Sequence, residues 1–173
     1  MVRLIKPRKQ ISSPSGPEPS LPIKLFASGL YTGYAPAASG TIGSAIAAAF
    51  YFIPGFDSPL ILGLILLLVF GLGIKASSIM EKRYGHDPAE VTIDEVLGMW
   101  ITLFFLPKTI LVVLGAFFFF RFFDIIKPFP ARKFDTMLGG FGIMMDDVVS
   151  GIYANITMQI VLLIPFFNGL LLR

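Results

Sequence analysis

The sequence predicts an all-α, multi-helical integral membrane protein with about four to five membrane-embedded helices, some of them short or re-entrant. Three observations carry that prediction. Of 173 residues, 55% are hydrophobic and only 14% charged, against roughly a quarter charged in a soluble domain. Long apolar runs such as LILGLILLLVFGLGI recur along the chain, and eighteen residues are phenylalanine. Neither strand-type alternation nor an internal repeat interrupts them.

The elements follow in order. Residues 1–22 are basic and rich in Pro and Ser, without the apolar core of a signal peptide. They are expected to form a disordered cytoplasmic tail ahead of a single helical membrane-embedded domain, 23–173. Five apolar stretches follow, at about 35–53, 60–80, 96–106, 109–123 and 148–172. Only the second and fifth approach the roughly 20 residues that cross a bilayer as a helix. The third and fourth are divided by Pro107-Lys108 and suit a tight hairpin that does not fully cross.

Basic residues orient the array. If the tail is cytoplasmic and each stretch reverses direction, twelve of fourteen Lys and Arg fall inside, counting Lys75 as snorkelling inward. The same arrangement brings Asp87, Glu90, Asp94, Glu95, Asp124, Asp135, Asp146 and Asp147 to the cytoplasmic boundary and leaves Asp57 outside. The basic residues flank the apolar runs and form no single patch, which argues against nucleic acid as a partner. Without cysteine there is no disulfide, thiolate nucleophile or Cys-based zinc site, and the single His86 excludes a two-histidine mechanism.

Ionisable residues at membrane depth are functional candidates, and they occur at three stations. In HDPAEVTIDEVLGMW (86–100), Asp87, Pro88 and Glu90 have the pattern of a helix start and capping box. Asp94 and Glu95 then fall beyond the first turn, and Gly98 permits another helix to approach closely. In FFFFRFFDIIKPFP (117–130), Arg121, Asp124 and Lys127 share a helix face that Pro128 terminates. They form either a self-neutralising ion-pair cluster or a metal-ligating Asp124 flanked by two phosphate-holding cations. In GFGIMMDDVVSG, Asp146 and Asp147 point about 100° apart on a helix, and one of them could cap it.

Five carboxylates brought together repel unless some are protonated or a cation sits among them. Oxygen ligands without His or Cys suit Mg²⁺. Ahead of these stations, SGTIGSAIAAAF (39–50) offers Thr41 and Ser44 at a Gly-rich helix start, a phosphate seat or an ordinary N-cap. Together the parts point to metal-assisted phosphoryl chemistry on a lipid headgroup.

The motifs GTIGS (40–44), VTIDEVLGMW (91–100), FRFFDIIKPFP (120–130) and GGFGIMMDDVVSGIYA (139–154) resemble the phosphatidylglycerophosphatase A family in order and spacing. Ser39 departs from the proline common in that family. The resemblance implies Mg²⁺-dependent hydrolysis of phosphatidylglycerophosphate to phosphatidylglycerol and phosphate at a bacterial inner membrane, with the site facing the cytoplasm. On this reading Asp94, Glu95, Asp146 and Asp147 are catalytic and bind the metal with Asp124, while Thr41, Ser44, Arg121 and Lys127 hold the phosphate. Two alternatives compete. A CDP-alcohol phosphatidyltransferase-like enzyme needs a signature that Ala131-Arg132 does not supply, and a divalent-cation channel or transporter needs acids at several depths.

Overall fold

The structure, a computed structural model, describes residues 16–172. Most of the expected basic tail lies outside the described residues; its last two residues, Leu21 and Pro22, already belong to a short helix α1 (Leu21–Ala27) that apolar periodicity does not suggest. There follow α2 (Ser39–Phe50), α3 (Pro59–Tyr84), α4 (Ile93–Leu103), α5 (Ile110–Ile126), α6 (Ala131–Asp135), α7 (Gly140–Leu163) and α8 (Pro165–Leu171). A single 3-10 turn spans Thr32–Tyr34, and the described residues contain no strand.

Helix α7 is the axis of the bundle. It carries Gly140, Gly142 and Gly151 among its buried residues, so neighbouring backbones approach it closely. Helix α4 runs parallel to it: Gly98 meets Asp147, Gly98 meets Gly151, and Asn155 donates to the carbonyls of Thr102 and Phe104 at 2.8 and 2.7 Å. Helices α3 and α5 run antiparallel to α7, with Gly73 against Met144 and Glu81 against Gly139 on one side. On the other, Lys127 meets Asp146 and Gly115 lies against Met158. The starts of α4 and α7 and the ends of α3 and α5 therefore share one end of the molecule.

Apolar packing fills the interior with Leu97, Met99, Leu103, Val112, Ala116, Phe120, Met144 and Met158. The outward face of α3 is as apolar as the core: Leu60, Leu64, Leu67 and Leu68 are all exposed. A helix apolar all round belongs in a large core or a membrane. Among the described residues, α3 alone is long and apolar enough to cross a bilayer; α7 and α8, bent by 90°, make a second candidate if they form one span. The fifth apolar stretch is thus a long helix that breaks at Ile164, ahead of Pro165, and turns.

One local expectation is corrected. Asp87 and Pro88 do not open a helix: Asp87 has φ +47°, Val91 N–H closes a turn on Pro88, and α4 begins only at Ile93. Tertiary contacts outweigh the capping pattern. Thr92, ahead of α4, donates its N–H to the Ala27 carbonyl and shares a 2.8 Å hydroxyl contact with buried Thr32. Asp94 and Glu95 consequently lie in the first turn of α4, where the helix dipole favours negative charge.

Candidate active site

Close backbone packing builds the acidic centre. A Cβ on Gly98 would come within 2.8 Å of the Asp147 carbonyl, and one on Gly151 would run into the Gly98 carbonyl. Asp94 lies four residues before Gly98 and Asp147 four before Gly151, so two parallel helices in contact bring the acids side by side. Asp94, Glu95 and Asp147 each offer an oxygen, all within 4.8 Å of one another. Asp146 and Asp147 sit well inside α7, which begins at Gly140, so neither caps the helix.

Two of these oxygens have no protein partner. Asp94 Oδ1 and Glu95 Oε2 are buried without a hydrogen bond among the described residues. An unsatisfied buried polar atom costs about 1–3 kcal/mol, more for a charged group. Burial pushes the Asp94 carboxyl well above the usual carboxylate range, and the neighbouring Glu95 charge adds to it. Burial likewise raises Glu95, to about 8. A cluster of carboxylate oxygens, two of them lacking hydrogen-bond partners, fits a hard divalent cation such as Mg²⁺.

The other two predicted acids are already occupied. Asp124 pairs with Arg121 Nη1 at 2.9 Å, one turn away on α5. Asp146 pairs with Lys127, and its Oδ1 accepts the Asp147 N–H at 3.0 Å. Lys127 is the left-handed C-cap of α5, which ends before Pro128, and also pairs with Asp135 of α6. Burial opposes the Lys127 charge, but Asp146, Asp147, Asp124 and Asp135 outweigh it and hold its pKa above that of an ordinary lysine. The adjacent aspartates thus divide, Asp146 toward Lys127 and Asp147 toward α4.

Arg121 links this group to α2. Its Nη1 donates to Ser44 Oγ at 3.3 Å, while Nε is buried without a partner. Ser44 itself donates to the Gly40 carbonyl, and Thr41 is exposed in the first turn. Helix α2 has no side-chain cap at Ala38, which leaves first-turn N–H groups for another acceptor. A Cβ on Gly40 would displace the Glu95 carboxylate, so the glycine lets Glu95 and Arg121 lie against the start of α2. All nine predicted site residues therefore come from α2, α4, α5 with its C-cap, and α7.

Sequence reasoning gave no role to Glu81, Asp135 or His86. Asp135 holds Lys127 from eight residues away, across the Pro128–Pro130 break where helix-face spacing no longer applies. His86 lies between Glu81 and the Asp135 carbonyl. Their only sequence signal is charge near a boundary, which does not specify a partner.

Carboxylates and cations held this close, on so apolar a helical body, suit a membrane-associated phosphatase. Comparison with known proteins supplies the family. The chain belongs to the phosphatidylglycerophosphatase A family, whose model matches residues 25–162. It is 36% identical to phosphatidylglycerophosphatase A of Escherichia coli, over 86% of this chain and 88% of that protein. It is 40% identical to the protein of that name in Haemophilus influenzae, over 78% and 85%. A Bacteroides thetaiotaomicron protein named "Putative phosphatidylinositol-3-phosphatase" is 38% identical over 81% of this chain and 92% of its own. No solved structure matches the chain.

Proposed function

We propose that this phosphatase hydrolyses phosphatidylglycerophosphate to phosphatidylglycerol and inorganic phosphate, with Mg²⁺ held by Asp94, Glu95 and Asp147. Membership of the phosphatidylglycerophosphatase A family supports the substrate. The single structural observation behind the metal is the pair of partnerless buried oxygens, Asp94 Oδ1 and Glu95 Oε2, beside Asp147. When bound, the metal supplies Lewis-acid neutralisation of phosphate charge and lowers the pKa of water.

The chain's own residues do the rest. Arg121, with Nε free of protein partners, and the uncapped first turn of α2 with Thr41 and Ser44 take the phosphate oxygens. Lys127 adds a positive charge that Asp135 and Asp146 hold in place. Glu95 accepts a proton from the attacking water as a new P–O bond forms and the ester P–O bond breaks. The departing glycerol oxygen takes up a proton and becomes the free hydroxyl of the product. Asp124 and Asp146 keep Arg121 and Lys127 oriented and stand next to the metal set.

The same reading places the protein in a bacterial inner membrane, with the site facing the cytoplasm. Twelve of fourteen basic residues on one side support the orientation. Helices α3 and α7 cross, α4 and α5 form a re-entrant hairpin, and α2 is embedded beside them. The acyl chains stay in the bilayer while the headgroup reaches the carboxylates.

The test is phosphate release by purified protein in detergent, with and without Mg²⁺. Phosphatidylinositol 3-phosphate serves as the comparison substrate because of the Bacteroides relative's name. Mg²⁺-dependent release from phosphatidylglycerophosphate is expected. No release under either condition sinks the reading, and preference for the inositol lipid replaces the substrate.

A further inference from the structure

The chain has one histidine, and the proposed reaction does not use it. His86 lies in the connection between α3 and α4, with both ring nitrogens engaged. Nδ1 is 2.7 Å from Glu81 Oε1 on α3, and Nε2 is 3.1 Å from the Asp135 backbone carbonyl on α6. A carboxylate oxygen and a carbonyl oxygen can only accept. Neutral imidazole has one N–H, so one of these contacts would set lone pair against lone pair; imidazolium donates to both. Glu81 is arranged for that partner. Its second oxygen, Oε2, accepts the Gly139 N–H at 2.7 Å, so both oxygens are used as acceptors.

The contacts continue into the active site. Asp135, whose carbonyl His86 holds, turns its carboxylate to Lys127, and Lys127 also pairs with Asp146 beside Asp147. Helix α6 has only five residues and no side-chain N-cap, so its own hydrogen bonding fixes Asp135 weakly. We propose that His86 is a positioning residue for Lys127: as an imidazolium it clasps α3 to α6 through Glu81 and Asp135, and thereby sets the lysine that receives the phosphate. The inference rests on the phosphate-holding role of Lys127 stated above.

The ionisable groups around the ring are few. Helix α3 presents Glu81, and Tyr84 of that helix is engaged with Tyr34 at 3.2 Å. Helix α6 presents Asp135, whose carboxylate faces Lys127, while its Arg132 and Lys133 are exposed. Gly139, ahead of α7, contributes only an N–H, and Asp87 follows His86 in the chain. Among the described residues, Glu81 is the carboxylate seen hydrogen-bonded to the ring.

Because the histidine is unique, ¹⁵N NMR of the full chain in detergent micelles reads it without assignment. Both ring nitrogens are expected to show as hydrogen-bond donors in the folded protein; a ring nitrogen left as an acceptor overturns the clasp. Kinetics supply the second arm. His86→Gln keeps similar bulk but donates from one end only, its other end being a carbonyl, and is expected to raise KM for phosphatidylglycerophosphate about tenfold with kcat within about twofold. Asp135→Asn is expected to do the same, and the double variant to lose no more than the worse single one, because both act through Lys127.

Additive losses, or a wild-type KM in His86→Gln, overturn the proposal. His86→Arg, which keeps the charge and several donors, is expected to recover most of the lost affinity. If His86→Gln does not fold, the Arg variant and the NMR measurement decide. If the wild-type protein releases no phosphate, the proposed function fails; a wild-type enzyme indifferent to His86 fails this inference alone.

Discussion

The two ends of the bundle use charge in opposite ways. At the end where α5 begins, Lys108 pairs with Asp57 at 2.7 Å, donates to the Ile53 carbonyl at 2.8 Å and lies over the Tyr51 ring. Both side chains are partly open to solvent, and they close the turns flanking α3 and α5. At the other end, Asp94, Asp146 and Asp147 are buried, and Asp94 Oδ1, Glu95 Oε2 and Arg121 Nε lack protein partners. One end joins opposite charges across two loops. The other pairs the cations Arg121 and Lys127 as well, but also concentrates carboxylates and leaves donors and acceptors unfilled, a cost that stability alone does not explain. The proposed function accounts for the difference, since a metal and a phosphate would fill the second end.

The largest expected effect comes from breaking that incomplete end. Asp147→Asn removes the α7 oxygen that meets Asp94 and Glu95, and is expected to lower kcat at least about a hundredfold. Phosphate release measured beside an unchanged yield of folded protein checks it. Near-wild-type turnover would return the acidic group to a structural role. Asp146→Asn is expected to cost less, because its partner is Lys127 and its loss leaves the three-oxygen cluster in place.

Removing the metal comes next, and pH sharpens the reading. Burial raises Glu95 from 4.5 to about 8 in the protein without an ion, and Asp94 shifts the same way. Between those values the folded state binds more protons than the unfolded one, so folding stability falls as pH rises from about 4.5 to about 8. In chelator the melting temperature is therefore expected to drop across that window, and added Mg²⁺ to restore most at its upper edge. A flat melting temperature in chelator would mean that the carboxylates are not the buried, proton-retaining cluster described above.

How much of this end could be read beforehand differs from residue to residue. Composition gave the helices, and Gly98 one turn beyond Asp94 announced a close neighbour, although only the structure shows it to be α7. The stop before Pro128 was visible because proline acts locally. The start of α4 departs from the sequence pattern, since Asp87-Pro88 obeys capping rules that Thr92, bound to Ala27 and Thr32, overrides. The short helices α1 and α6 are too brief to show a period. The division between Asp146 and Asp147 was not legible, because adjacent residues look equivalent until helices on either side claim one each.

A smaller effect tests the packing that builds the cluster. Gly98→Ala places a methyl against the Phe120 ring and within 2.8 Å of the Asp147 carbonyl, and the latter is backbone. Helices α4 and α7 have to separate, at a cost of about 1–3 kcal/mol typical of overpacking. Gly71→Ala on α3 meets nothing within 4 Å and is expected to be neutral or slightly stabilising. Equal melting temperatures for the two variants would show that α4 and α7 are not in backbone contact.

The smallest effect is expected at the far end. Asp57→Asn and Lys108→Ala remove an ion pair partly open to solvent, of a kind that contributes little because water screens it. Truncating Lys108 also frees the Ile53 carbonyl, but Ile53 is exposed, so water replaces the ammonium and no orphaned acceptor results. Turnover is expected within about twofold of wild type, since exposed charges beyond a Debye length of about 10 Å are largely screened from the site. A tenfold loss on either change would mean that the turns flanking α3 and α5 control how α4 seats against α7. The contrast between the ends would then describe one coupled unit, with Tyr51 and its 2.7 Å bond to the Leu106 carbonyl as the connection to examine.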